Sequence, residues 1–237
     1  MHVWQDEQLG VLYHARSTGQ LFAGLARIIE RLGFERCSYG IRPSLPLAQA
    51  RIQVFDNYPR PWHERYRAAN YVAIDPTVRH GLRSLHPLRW SDALFVRVPA
   101  FWEDARAHGL RHGWAQPCRD AHGTAGMLTV ARPHEPLGDA ELRTRAPQLA
   151  WIAQLAHLGM ASLLTRATTV DGERVLTRRE REVLRWCAEG KTAEETAEIL
   201  GISTRTVNFH LAGAMTAMAA SNKTAATIRA ALLGLLY

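Results

Sequence analysis

The sequence predicts an α+β protein: an amino-terminal α/β/α sandwich on an antiparallel sheet, followed by an all-α four-helix domain. Three observations carry that expectation. Residues 1–165 mix the two-residue and 3.6-residue hydrophobic periods of strands and helices. Residues 176–237 give helical signals alone, each segment with its own capping residue. Between them, "TRATTVDGERV" (165–175) is polar and turn-forming, so we place a linker at 166–175 between domains at 1–165 and 176–237.

Taken in order, residues 9–32 read as a helix, with Leu21, Leu25, Ile28, Ile29 and Leu32 on one face. Strands are expected at 37–42 and 50–58. Pro61 suits the first turn of a helix over 61–70, which sets Trp62 and Tyr66 on one face. Helices at 76–84 and 98–108 follow. Strands at 114–120 and 123–132 read as a hairpin, and a helix over 138–165 completes the first domain. In the second domain, "TRRE" (177–180) and "TAEE" (192–195) are capping boxes, closed by Gly190 and Gly201. Ser203 caps a third helix, 204–219. Asn222 or Ser221 caps a fourth, which runs to 235. Val183, Leu184, Cys187, Ile199, Leu200, Val207, Leu211 and Ile228 are the expected core. The second and third helices are joined by "GIS" alone, a turn of helix-turn-helix length.

Charge decides little. The formal net charge is +7, yet residues 171–237 hold nine Lys/Arg against eight Asp/Glu, so most of the excess lies in the first domain. The start, "MHVWQDEQLG", does not resemble a signal peptide. The most apolar run (149–164) is broken by Gln154, His157 and Ser162 and falls short of a bilayer span. Three scattered cysteines, Cys37, Cys118 and Cys187, suit reduced thiols. The expectation is a cytoplasmic protein with no membrane partner.

"LTRREREVLRWCAEGKTAEETAEILGISTRTVNFHL" (176–211) strongly resembles the helix-turn-helix of LuxR-type transcription factors. The third helix would enter the major groove with Arg205, Asn208 and Ala212 outward; arginine suits guanine or phosphate, and asparagine pairs with adenine. Lys191 and Thr192 start the second helix, where free N–H groups and a cation can hold a phosphate. The resemblance extends the DNA-binding set to Ser203, Thr206 and His210, and implies a homodimer on an inverted-repeat site in double-stranded DNA. Thr196 stands where an aliphatic residue is usual, and Gly213 and Ala217 replace a common Asn and Lys.

In the first domain, "YPRPWHERYRAANYVAIDP" (58–76) raises the question of what three polar-tipped aromatics and an acid share. Trp62, Tyr66, Asp75, Pro76, Trp90 and Gly113 match the pattern of acyl-homoserine-lactone-binding LuxR domains. By that resemblance, Asp75 accepts the ligand's amide N–H and Trp62 donates to the ring carbonyl. The hydroxyls of Tyr58 and Thr129 serve the amide carbonyl, with Ser38 nearby. Trp90 and Tyr66 wall the lactone, and Val54, Val78, Leu82, Leu110 and Met127 line the tail pocket. The lactone is a signalling ligand, and no cofactor is expected. The runner-up is a LuxR-type regulator that answers another small molecule or has a vestigial pocket.

Two rival classes fare worse. A phospho-receiver needs an active-site lysine, and no lysine precedes Lys191. An enzyme could be imagined from His108, His112, Cys118 and His122, but no His-Glu-x-x-His, nucleophile elbow or phosphate loop is present, and metal sites are not expected.

Overall fold

The computed structural model describes residues 10, 14–45, 51–168 and 175–237. The chain divides into two compact units that meet in sequence between Ala167 and Thr168.

In the first unit, α1 (Thr18–Arg31) is opened by Ser17, whose hydroxyl accepts the Gln20 N–H. That cap corrects the expected start near residue 9: residues 14–17 are not helical, and residues 1–9 and 11–13 lie outside the described residues. Leu21, Leu25, Ile28 and Ile29 are fully buried along one face, while Leu32 is the C-cap and only half-buried.

The sheet has five strands, β1 (Arg36–Arg42), β2 (Gln53–Asp56), β3 (Leu88–Arg89), β4 (His112–Arg119) and β5 (Ala125–Arg132). They lie in the order β2-β1-β5-β4-β3 with every pairing antiparallel. β2 is shorter than the expected 50–58. Asn57 ends it by turning its side chain into a ladder partner, accepting Cys37 N–H at 2.8 Å and donating to Glu35 O at 3.0 Å. Residue 50 lies outside the described residues. The hairpin strands are displaced from 114–120 and 123–132, because the β4–β5 ladder runs from His112↔Arg132 to Arg119↔Ala125. Pro117 is tolerated in β4 because the two-residue β3 pairs only with Trp114 and Ala115.

The remaining helices of this unit are α2 (Arg60–Ala68), α3 (Pro76–Gly81), α4 (Asp92–Phe95), α5 (Pro99–Ala107) and α6 (Asp139–Thr168). α3 stops at Gly81 and not at 84. α4, β3 and a 3₁₀ turn at Tyr71–Ala73 were not expected, being too short to show a period. α6 buries Leu149, Ile152, Ala153, Ala156 and Met160 against α1 and one sheet face. Among the described residues no helix is long and apolar enough to cross a membrane. α6 also takes residues 166–168, the first three of the expected linker, and residues 169–174 lie outside the described residues.

The second unit consists of α7 (Arg178–Ala188), α8 (Ala193–Leu200), α9 (Thr204–Ala217) and α10 (Lys223–Leu232). Both capping boxes form, Thr177 with Glu180 and Thr192 with Glu195. Asn222, not Ser221, caps α10. Gly190 and Gly201 follow their helices with φ of +81° and +63°, the left-handed conformation that glycine adopts freely. α9 ends two residues before 219, where Arg229 donates to the terminal carbonyls of Met218 and Ala219. α10 ends at Leu232, three short of 235. Val183, Leu184, Val207 and Leu211 are buried, with Cys187 and Leu200 packed against them. Ile199 and Ile228 are not core: Thr196, Ala197, Ala226 and Ala230 take the inward positions, and the two isoleucines are 45% and 41% exposed. Thr196 fills its apolar place by donating its hydroxyl to Thr192 O at 2.7 Å.

At Gly113, β4 meets the indole of Trp90. A Cβ there would lie 2.3 Å from the Trp90 ring, so the indole rests on bare backbone. We expect Gly113→Ala to displace Trp90 and cost about 1–3 kcal/mol by overpacking, read from urea unfolding. Wild-type stability in that variant would mean that the Trp90 ring is not held in this contact.

Candidate functional site

Strand side chains alternate between faces, so the register decides what the sheet offers on each side. Cys37, Tyr39 and Ile41 point into the solid core under α1 and α6. Ser38 and Gly40 point the other way. Opposite Ser38 stand Asp56 and Thr129, a polar row; opposite Gly40 stand Val54 and Met127, an apolar row. These two rows floor a cavity of about 550 Å³ walled by α2, α3 and α5, within the size range of small-molecule sites.

All twelve expected ligand residues border this one cavity: Ser38, Val54, Tyr58, Trp62, Tyr66, Asp75, Val78, Leu82, Trp90, Leu110, Met127 and Thr129. Leu110 is 1% exposed at the inner end, whereas Val54 and Leu82 are 56% and 40% exposed at the mouth. Gly81 lets α3 approach the floor, since a Cβ there would come within 2.9 Å of Met127 Sδ.

The polar end is built around Asp75, the N-cap of α3. Oδ1 accepts from Thr77 N at 2.8 Å and Thr77 Oγ1 at 2.7 Å, and Oδ2 accepts from the Tyr66 hydroxyl at 3.0 Å. An ionised carboxylate has about four acceptor positions. The Thr77 and Tyr66 donors occupy three of them, and the Val78 backbone N–H also favours the charged form. Burial pushes the Asp75 carboxyl above its usual range, and the Thr77 and Tyr66 donors pull it back toward ionisation. Burial holds the Tyr58 and Tyr66 hydroxyls well above their usual range, so both stay protonated and able to donate.

Trp62 is the hub of the aromatic wall. It packs edge-on to Tyr66 at 5.5 Å between centroids and touches Tyr71, Phe101 and His108 at 6.1, 5.8 and 5.5 Å. The buried indole N–H of Trp90 has no hydrogen-bond partner among the described residues, whereas that of Trp102 donates to Asp92 at 2.6 Å. Residues that the sequence reasoning missed are Thr77, Phe95, Phe101 and Trp102. Thr77 was legible as the Thr two places after a capping Asp. Nothing local marks the other three, which reach the cavity through α4 and α5. Tyr66 was expected only as a wall; its bond to Asp75 is an addition.

In the second unit, Arg205, Asn208 and Ala212 lie exposed along α9, with His210 and Thr206 half-buried. Ser203 caps α9 by accepting Thr206 N–H at 3.1 Å, and the two hydroxyls are 2.8 Å apart. Thr192 caps α8, and Lys191 pairs with Glu195 at 3.4 Å. Sequence reasoning passed over Phe209, which is 73% exposed on the same strip of α9. Four-residue spacing from Arg205 was the available signal. Among the described residues no group of three or more His, Cys, Asp or Glu side chains could hold a metal.

A small-molecule cavity in one unit and a helix-turn-helix in the other define the class: a ligand-responsive, DNA-binding transcriptional regulator. Residues 17–160 match the family described as "Autoinducer binding domain", and residues 174–230 match "Bacterial regulatory proteins, luxR family". The chain belongs to the LuxR family of quorum-sensing regulators. It is 40% identical to the transcriptional activator AnoR of Acinetobacter nosocomialis, each chain covered completely. It resembles Escherichia coli SdiA with a TM-score of 0.80 and 30% identity, over 99% of this chain and 98% of that one. SdiA has also been solved with octanoyl-rac-glycerol. CepR2 of Burkholderia cenocepacia, described as an N-acylhomoserine-lactone-dependent LuxR factor, matches 70% of this chain and 96% of its own with a TM-score of 0.59 and 34% identity. These relatives are regulators, and the enzyme reading falls.

The Asp75 geometry makes a prediction with a sign. Thr77→Val keeps the shape but deletes the Oγ1 donor to Oδ1. That donor favours the ionised form, so its loss raises the Asp75 pKa further and destabilises the native state only where Asp75 is charged. The variant should lose about 1–3 kcal/mol at pH 7, and the deficit should shrink on acidification as Asp75 takes a proton. Denaturant unfolding over a pH series descending from 7 to the ordinary carboxyl range checks it; a deficit constant across the whole series would show that the hydroxyl does not serve the carboxylate.

Proposed function

We propose that the autoinducer is an N-acyl homoserine lactone and that the protein acts in the cytoplasm as a homodimer on an inverted-repeat DNA site. The observation that carries the ligand reading is the buried carboxylate of Asp75 lining the polar end of a mainly apolar cavity. An amide N–H meets that carboxylate with a charge-assisted hydrogen bond. The Trp62 indole donates to the ring carbonyl, and Tyr58 with Thr129, and Ser38 beside them, serve the amide carbonyl. Trp90 and Tyr66 hold the ring. The acyl tail runs from the Ser38/Thr129 row over the Gly40/Met127 row toward Val54 and Leu82, with Val78 beside it; Leu110 closes the inner end. CepR2's dependence on such lactones supports this reading.

We assign sensing to the residues before the linker, 1–165 as expected and extended to 168 by α6, and DNA binding to 176–237. Lys191, Thr192, Ser203, Thr206 and His210 hold phosphates, and Arg205, Asn208 and Ala212 face the bases. A two-fold dimer then reads half-sites about one helical turn apart.

The octanoyl-glycerol complex of SdiA keeps a second ligand class in play. A glycerol ester lacks the amide N–H but offers hydroxyls to Asp75. A thermal-shift panel of N-acyl homoserine lactones and octanoyl glycerol separates the two. Ligand that binds only the folded form adds about 2.7 kcal/mol at a hundredfold excess over Kd, so the melting temperature should rise with a lactone. No rise with any compound would point to a vestigial pocket.

Two site variants rank the roles in a reporter titrated with the best lactone. Trp62→Phe removes one donor and should raise the half-maximal concentration roughly 5- to 150-fold, the equivalent of about 1–3 kcal/mol. Asp75→Ala should cost at least as much, and Asp75→Asn should fall between it and wild type. Wild-type responses from Trp62→Phe and Asp75→Ala would reduce both residues to core packing.

DNA contacts are separable in the same way. Asn208→Ala should relax base preference at one position per half-site in a binding-site selection, whereas Lys191→Ala should weaken all sequences alike and shallow the salt dependence. An unchanged preference in Asn208→Ala would overturn that assignment.

A further inference from the structure

We propose that Phe209 is a specificity-determining residue of the DNA-reading helix, its ring packing on the C5 methyl of a thymine in each half-site. This rests on the DNA reading above and names a contact that reading does not contain.

A lone exposed apolar side chain is ordinary on a protein surface. The position of this one is not. Phe209 is 73% exposed, while Val207, Leu211 and Ala214 of the same helix are buried in the unit's core. Counting 100° per residue, Phe209 lies between Arg205 and Thr216 on one side and Gly213 on the other, near the middle of the exposed strip. The residues that follow it outward, Ala212 and Gly213, are small, so the ring stands proud of the helix surface. Helical side chains lean toward the amino-terminal turn, which carries the Phe209 ring over the Arg205 end of α9. That end of a recognition helix is the part that meets base edges. His210 packs against the ring at 5.5 Å with the planes 69° apart, which narrows the orientations it can take.

The chemistry then selects the occupant. In the major groove the four bases present donors and acceptors, and only thymine adds an apolar group, its methyl. A phenyl ring gains nothing from a phosphate and cannot satisfy a base-edge donor. Against a methyl it removes apolar surface of both partners from water.

The test replaces thymine by uracil, which deletes the methyl and leaves every hydrogen-bonding group in place. Full-length wild type, with an equimolar mixture of N-hexanoyl, N-octanoyl and N-dodecanoyl homoserine lactones, first selects duplexes from a randomised pool. Uracil is then placed at each thymine of the selected site in turn. At one position per half-site the wild type should bind about fourfold more weakly, the value of one buried methyl-sized group. Phe209→Ala should bind thymine and uracil equally there, and Phe209→Leu should keep part of the difference. Melting temperatures confirm that these exposed-site variants are folded. Uracil sensitivity that persists in Phe209→Ala overturns the proposal, because another residue then reads the methyl. So does a site at which no uracil weakens the wild type, including the case in which Phe209→Ala loses transcription while binding DNA normally. Failure of the wild type to select any sequence removes the DNA reading itself, an outcome distinct from sequence-specific binding without methyl dependence.

Discussion

The antiparallel pairing of β1 with β5 is the constraint on which the sensing unit depends. Seven residue pairs, from Arg36↔Ala131 to Arg42↔Ala125, fix which side chains face α1 and α6 and which face the cavity. A slip of one residue would exchange the two sets. Tyr39, Leu128 and Val130 would then fill the cavity, and Ser38 and Thr129 would be driven into an apolar core. Register is locked from the solid side, where the Tyr39 hydroxyl meets His157 Nδ1 of α6 at 2.7 Å and only a glycine at 126 leaves room for both. The packed face of the sheet thus holds the open face in place.

On that open face, Asp75 is the group whose burial has to be offset. A carboxylate buried without partners is costly. The structure supplies donors from Thr77 and Tyr66, and the Val78 backbone N–H adds to them. The acid is compensated by protein groups and is held in one rotamer by its role as helix cap. Preorganisation of this kind lowers the ordering cost of binding. Tyr66 therefore does two things at once, walling the cavity with its ring and orienting the carboxylate with its hydroxyl.

What the sequence disclosed, and what it hid, follows from the range of the interactions. Caps are local, so Thr177, Thr192 and Ser203 opened their helices in the right places, and Asn222 proved to be the one of two adjacent candidates that caps the last. Long periodic faces were equally plain: α1 buries Leu21, Leu25, Ile28 and Ile29 along the face their spacing gives. The expected start of the first helix failed because Ser17 supplies a cap inside a run that still looks periodic. β3, α4 and the 3₁₀ turn are too short to carry a period, and they exist because Trp90, Phe95 and Tyr71 are held by packing from elsewhere in the chain. Ile199 and Ile228 misled for a related reason. Hydrophobicity named them as core, whereas the helix crossings chose the smaller Thr196, Ala197, Ala226 and Ala230. The cavity residues came by family resemblance from positions spread over Ser38 to Thr129; spacing alone gave no reason for them to converge.

The same division between inward and outward duties governs the DNA-binding unit. Ser203 and Thr206 spend their hydroxyls on each other and on the first turn of α9, so they stiffen the start of that helix. Thr196 spends its hydroxyl on Thr192 O, inside α8. Arg205, Asn208 and Phe209 are left with their functional groups facing outward, one charged, one amide and one apolar, which together span the kinds of contact that base edges offer. Lys191 is held differently. Its partner Glu195 is also bound by the Thr192 capping box, and the pair is about half exposed. Surface pairs of this kind contribute less than about 1 kcal/mol. Releasing Lys191 from this pair therefore costs little, and Glu195 keeps its place in the capping box without it.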